Sequence, residues 1–365
     1  MKQRLRLSRE AWRRVASKLD PSRVQASWST RITYGAAAIA NSVMARLQTM
    51  SNAEALQKVE ILPPIFLLGF WRSGTTFLHE LFCCDSRFGF PSTYACMNPH
   101  HFLLSEKSFH KRVRSQPSLR PMDNMQFSWS SPQEDEFALL CMGALSPYEA
   151  LLAPSLMCDA ESLLDPRKRP ANEPKQWAET LQLFLRLLTV QQEKPMVLKS
   201  PPHGYRLPIL PSLFPEARFV IIERNPYEVF ASNLKLWRTL LDMYSLESLS
   251  PGEIQEFVLR AYLIHEQLLK EGNENVPRGK MARVRYEDLT ANPLLEMRRI
   301  YSELGLTGFD EARPALEHHI GDVTGHKRNR FVLSPEQRNA VESRWGALIQ
   351  EKSYSWSEDW ISLQA

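Results

Sequence analysis

At 365 residues and 42.2 kDa the chain has room for one large α/β domain with insertions, or for two domains. Apolar residues make up 43% and charged residues 24%, which excludes a disordered or fibrous chain, and no apolar run reaches the length of a membrane span. The net charge of +4 is uneven: residues 1–31 hold nine Lys/Arg against Glu10 and Asp20, +7 in all, which leaves −3 for the rest. Five cysteines, two of them adjacent at Cys83-Cys84, point to neither a disulfide framework nor a zinc site, and so to a reducing, cytoplasmic setting.

Residues 1–60 read as a helical N-terminal extension, broken at Asp20-Pro21-Ser22. In 1–19 the basic residues alternate with Leu5, Leu7, Trp12, Val15 and Leu19. A helix packing by one edge is the favoured reading, with weak membrane-surface contact through the basic segment as its rival. Pro63-Pro64 introduces Ile65-Phe66-Leu67-Leu68, an apolar run without alternation, as in a strand buried on both faces. Gly69 and Gly74 then bracket four residues, and Thr75-Thr76 open a helix carrying Phe77, Leu78 and Leu81. A strand, tight loop and helix start of this kind aim backbone N–H groups at one spot and favour an anion there.

A second short strand is expected over 88–95. Residues 105–175 are irregular and broken by prolines, and read as a helical and loop insertion on the acceptor side. Met122, Met125, Phe127, Trp129, Phe137, Met142 and Met157 are its apolar stock, most of them expected in the core. Beyond it come a helix over 177–189, a short strand ending at Lys199, and a buried strand over 218–224. Helices over 227–241 and 254–269, a strand over 281–286 and a helix over 293–304 follow. Strands alternating with helices predict a P-loop-type parallel β-sheet flanked by helices, with 61–365 as one domain. The ligand of such a sheet lies beyond its strand ends.

The loop nearly matches the nucleotide-triphosphate pattern G-x-x-x-x-G-K-[ST], but Thr75 stands where the lysine belongs and the nearest cation, Arg72, lies inside the loop. That argues against a P-loop kinase or NTPase. The other strand ends bring Lys199, Arg224 and Tyr286 toward the same spot. Ser232, eight residues after Arg224, would sit on the helix that follows it, so that a guanidinium and a hydroxyl grip one phosphate.

The Arg72-Ser73-Gly74-Thr75-Thr76 run and the Arg224/Ser232 spacing resemble the sulfotransferases that use 3′-phosphoadenosine 5′-phosphosulfate (PAPS), in their broad, mostly microbial branch. The likeness covers about residues 62–356. It implies a sulfotransferase-like fold in which Arg72, Ser73, Gly74, Thr75 and Thr76 cradle the 5′-phosphosulfate. Arg224 and Ser232 would hold the 3′-phosphate, and Phe77 and Tyr286 would meet the adenine. His326, Lys327, Arg328 and Asn329, with Arg330, would close over the nucleotide as a C-terminal loop at 322–332. Arg72 and Lys199 would steady the leaving oxygen.

The general base stays open in the sequence. Pro201 occupies the position where cytosolic members of the family carry a histidine. His203 and the Glu134–Glu136 cluster, in the run Glu134-Asp135-Glu136, rank equally. The resemblance implies a small acceptor with an alcohol or phenol hydroxyl, the Met and aromatic content of 105–175 points to an apolar or amphipathic one, and no residue spacing asks for a metal. Nucleic acid is an unsupported partner, since the basic N-terminus lacks interleaved aromatics. A non-catalytic nucleotide-binding module on the same fold is the alternative reading.

Overall fold

The computed structural model describes residues 3–113, 118–119, 126–170, 172–323 and 333–356; for 118–119, 126–127 and 323 only the backbone is described. In chain order the strands are β1 (Ile65–Leu68), a short antiparallel pair β2 (Ser118–Leu119) and β3 (Gln126–Phe127), then β4 (Val197–Lys199), β5 (Arg218–Glu223) and β6 (Met281–Arg285). Four of them form one parallel sheet in the order β4-β1-β5-β6, with Leu67 opposite both Lys199 and Val220. The α/β expectation therefore holds, and β1 is the buried strand that its unalternating sequence predicts.

Three helices precede the sheet: α1 (Arg9–Lys18), α2 (Trp28–Ser51) and α3 (Ala53–Lys58). The strand β1 runs into α4 (Thr75–Cys83). Next come α5 (Thr93–Met97), α6 (Phe102–Arg112), α7 (Asp135–Met142), α8 (Ala160–Leu164), α9 (Asn172–Gln192) and α10 (Leu210–Leu213). The strand β5 leads into α11 (Pro226–Tyr244) and α12 (Pro251–Asn273), and β6 into α13 (Tyr286–Ala291), α14 (Pro293–Glu303), α15 (Phe309–Val323) and α16 (Pro335–Glu351).

The strand expected over 88–95 does not form. Gly89 makes one isolated bridge to Met196, and the Ser92 hydroxyl accepts the N–H of Ala95 and caps α5 instead.

The sheet's two faces feed two cores. Ile65 and Leu67 join Leu78, Leu81 and Phe82 of α4 on one side, while Phe66 and Leu68 join Phe230 and Trp237 of α11 on the other. Each of these large side chains contributes about 1.5–3 kcal/mol on burial. The consequence for function is topological. Neighbouring strands β1 and β5 send their following helices to opposite faces, so a crevice opens between their carboxyl ends.

Helix α1 belongs to this body rather than hanging from it. Leu5, Leu7, Ala11, Val15 and Leu19 enter the same core as Phe66, and Arg14 and Lys18 both pair with the fully buried Glu149. The apolar face of residues 1–19 is thereby used inside the protein, as the packing-helix reading expects.

Candidate active site

The loop after β1 is built by close approach. A Cβ on Gly69 would lie 2.6 Å from Ser73 Oγ and 2.8 Å from the carbonyl oxygen of Ile222. Gly74 has φ +99°, and a Cβ there would lie 2.2 Å from Cδ2 of Tyr286, so the loop and α13 fit only around a hydrogen atom. Between the two glycines Arg72 takes φ 70°, a left-handed conformation that costs a non-glycine residue about 1–3 kcal/mol. Its surroundings hold it there. The side-chain amide of Asn233 donates to the carbonyl of Trp71 at 2.7 Å, Arg224 Nη1 donates to the Arg72 carbonyl at 3.2 Å, and Arg72 Nε donates to Ser232 Oγ at 2.8 Å.

The crevice residues foreseen in sequence thus converge, with one change of partner. Arg224 does not touch Ser232 directly; Arg72 stands between them. Arg224 Nε donates to Glu228 at 2.8 Å, and its guanidinium lies over the Tyr286 ring, 4.3 Å from the centroid. Phe77 and Tyr286 are both partly buried against the same core cluster, beside the loop. Ser73, Thr75 and Ser232 are buried, whereas Thr76 keeps some exposure. The expected nucleotide loop with His326, Lys327, Arg328 and Asn329 lies outside the described residues.

Lys199 ends β4 and, through the sheet register, stands beside Leu67 just before the loop. Its ammonium donates to Glu134 Oε1 at 2.8 Å. The other Glu134 oxygen accepts the hydroxyl of Tyr148, whose oxygen in turn accepts Trp71 Nε1–H at 3.1 Å. Burial, with Glu134 next to it, pushes the Tyr148 phenol well up, so it stays protonated and remains a donor. The side chain of Glu134 is 18% exposed.

The other two acids of the run are sealed, both at 0% exposure. Asp135 accepts from the Ser200 hydroxyl at 2.8 Å and meets His203 Nε2 at 2.7 Å. Burial raises the Asp135 carboxyl, but His203 and the hydrogen bonds outweigh it and hold it below the ordinary range. Glu136 forms a two-bond pair with Arg206, at 2.6 and 2.9 Å, and the Arg206 guanidinium stacks over Trp177 at 4.3 Å. His203 is itself fully buried, edge-on to Phe66. The structure therefore does not bring His203 and Glu136 to the crevice. His203 is closed into a hydrogen bond with Asp135 and Glu136 into an ion pair with Arg206, because α7 turns successive side chains by about 100° and only its cap position faces Lys199.

Sequence reasoning missed Tyr148, Trp71, Asn233 and Arg206. Asn233 follows Ser232 and was within reach of the motif. Tyr148 sits in a proline-led turn, Pro147–Leu151, whose sequence carries no signal of its role.

Comparison with known proteins agrees with this geometry. The sulfotransferase family model matches residues 63–311, which include β1, the loop and the ends of β4, β5 and β6. Omega-hydroxy-beta-dihydromenaquinone-9 sulfotransferase Stf3 of Mycobacterium tuberculosis and of Mycobacterium bovis is 34% identical over 346 residues, 94% of this chain and 89% of theirs. Sulfotransferase STF9 from Mycobacterium avium superposes with a TM-score of 0.70 at 17% identity, covering 96% of this chain and 93% of its own. STF1 from Mycobacterium tuberculosis gives 0.65 at 21%, covering 93% of each; these two likenesses speak to the fold. With the family match laid over the glycine-bracketed loop and the strand-end cations, the chain belongs to the sulfotransferase family and is a sulfuryl-transferring enzyme.

Proposed function

We propose that the enzyme transfers the sulfuryl group of PAPS to the hydroxyl of an apolar, lipid-like acceptor, with Glu134 as general base. The observation that carries this is the placing of Glu134. It is the partly exposed acid of its run, it touches Lys199 at the strand end, and Tyr148 orients it.

A phosphosulfate fits the loop on two counts. Ser73 Oγ is buried without a hydrogen-bond partner among the described residues, and a Cβ on Gly69 would press on that same oxygen while one on Gly74 would enter the Tyr286 ring. Arg72, Ser73, Thr75, Thr76 and the helix start would hold the 5′-phosphosulfate, Arg224 and Ser232 the 3′-phosphate, and Phe77 and Tyr286 the adenine. When bound, PAPS supplies an activated sulfuryl group on a good leaving phosphate. Glu134 takes the proton of the acceptor hydroxyl, while Lys199 and Arg72 hold the charge that grows on the departing oxygen. Trp71 and Phe137, packed around Tyr148, surround this proton transfer with apolar surface. The omega-hydroxylated menaquinone in the name of the Stf3 relatives supports an acceptor of that chemical class.

The test is sulfation of a long-chain prenyl alcohol by the wild type and by Glu134→Gln, with calorimetry of 3′-phosphoadenosine 5′-phosphate (PAP) and ADP in parallel. The expected result is a loss of kcat of about 100- to 10,000-fold in the variant with PAP binding kept. Full turnover in Glu134→Gln would remove the residue from the base role. Equal binding of PAP and ADP would remove the 3′-phosphate reading. Bound PAP with no transfer to any alcohol would overturn the acceptor assignment.

A further inference from the structure

We propose that the outer face of α2 docks on an anionic phospholipid bilayer. Trp28, Ile32, Ile39, Val43, Leu47 and Met50 are all exposed, from 47% for Leu47 to 77% for Trp28. At about 100° per residue they fall on one stripe, which runs about 33 Å along the helix. The opposite face holds the buried Tyr34, Ala38 and Gln48. A surface helix facing water is apolar on its inner side and polar on its outer side; α2 is apolar on both.

The charges around the stripe select the partner. Positions 28–51 contain no Asp or Glu, and their two charges are Arg31 and Arg46. The Arg31 guanidinium lies 5.1 Å from the Trp28 ring centroid, a cation and an amphipathic ring at one end of the stripe. The segment that carries Arg4, Arg6, Arg9 and Arg13 is pinned alongside. Asn41 Nδ2 donates to the Leu7 carbonyl at 2.9 Å, Ser42 Oγ accepts the Arg9 N–H at 2.8 Å, and Trp12 stacks on Tyr34 at 4.8 Å. These four arginines are exposed and have no carboxylate partner among the described residues, unlike Arg14 and Lys18, which both pair with Glu149. An apolar stripe flanked by unneutralised cations matches the interface of an anionic bilayer. A second copy of this chain would bring the same cations face to face.

The position of α2 gives the docking a use. Gln48 donates to the Pro99 carbonyl and accepts the Leu103 N–H, both at 2.9 Å, which ties α2 to the start of α6 and so to the acceptor-side insertion. That a lipid acceptor enters from the bilayer rests on the proposed function; the docking itself does not.

The experiment is sedimentation of the full chain with phosphatidylcholine–phosphatidylglycerol vesicles and with phosphatidylcholine vesicles, with light scattering in solution alongside. The wild type is expected to sediment with the anionic vesicles and to be released by salt. Ile39→Glu/Val43→Glu is expected to lower partitioning at least about tenfold at an unchanged Tm. Ile39→Ser/Val43→Ser repeats the test with a milder change should the glutamates impair folding. No sedimentation of the wild type with either vesicle, equal partitioning of wild type and both variants, or a stable dimer that the variants dissolve would each overturn the proposal. The readout needs no turnover, so a failed acceptor assignment leaves it untouched.

Discussion

The loop after β1 and the acid run at the start of α7 lie side by side, yet they are specified in different ways. In the loop the backbone does the work. Gly69 and Gly74 are required by contacts of 2.6 and 2.2 Å that a Cβ would make, and the helix start that follows is fixed by chain order. In the acid run three consecutive carboxylates meet three different sets of partners: Lys199 and Tyr148 for Glu134, His203 and Ser200 for Asp135, Arg206 for Glu136. The difference teaches that the shape of a tight loop is a property of local geometry, whereas a carboxylate's surroundings are a property of what folds against it.

The largest expected effect comes from separating the three acids. Arg206→Ala leaves Glu136 charged and buried without its partner, and should cost about 3–5 kcal/mol in chemical denaturation. Glu134→Gln keeps an acceptor oxygen for Lys199 and Tyr148 at a partly exposed position, and should cost clearly less than Arg206→Ala. Similar stability losses for both would break the comparison, since Glu134 would then be as structural as Glu136.

A smaller effect is expected in the loop. Gly74→Ala forces a Cβ into the Tyr286 ring and a left-handed conformation on alanine, at about 1–3 kcal/mol. PAP affinity by calorimetry should fall by about tenfold or more, and a Tyr286→Ala background should relieve the steric part of the loss. Unchanged PAP affinity in Gly74→Ala would show that the loop tolerates a side chain after all.

The last effect is a slope with pH. Burial, and then the Lys199 charge, hold His79 at about 3, while its Nε2 meets the Val197 carbonyl at 3.2 Å. Between that value and the ordinary 6.5 the unfolded chain binds a proton that the folded chain refuses, so stability is lost as pH falls through this window. Burial places His100 similarly, at about 4. Thermal unfolding from pH 7 to 4 should show a falling Tm, with a shallower slope in His79→Asn. An unaltered slope would assign the acid sensitivity to His100 and to the depressed Asp135 carboxyl instead.

Much of this molecule was legible in the chain. The unalternating Ile65–Leu68 run, the two glycines, and cations at the ends of later apolar runs sufficed for a parallel sheet with a tight glycine loop at its carboxyl edge, because strand burial and glycine conformations are local demands. The segment 88–95 misled, because one capping hydroxyl at Ser92 outweighs a short apolar run.

By itself, then, the sequence determined the fold class, the cradle and the cations around it, all of which follow from backbone conformation and residue order. Only the tertiary structure decided the rest. It put Arg72 between Arg224 and Ser232, buried His203 against Asp135 and Glu136 against Arg206, set Tyr148 beside Glu134, and left one face of α2 uncovered. Those outcomes depend on which side chains, far apart in the chain, come to share one low-dielectric space, and no local pattern encodes that pairing.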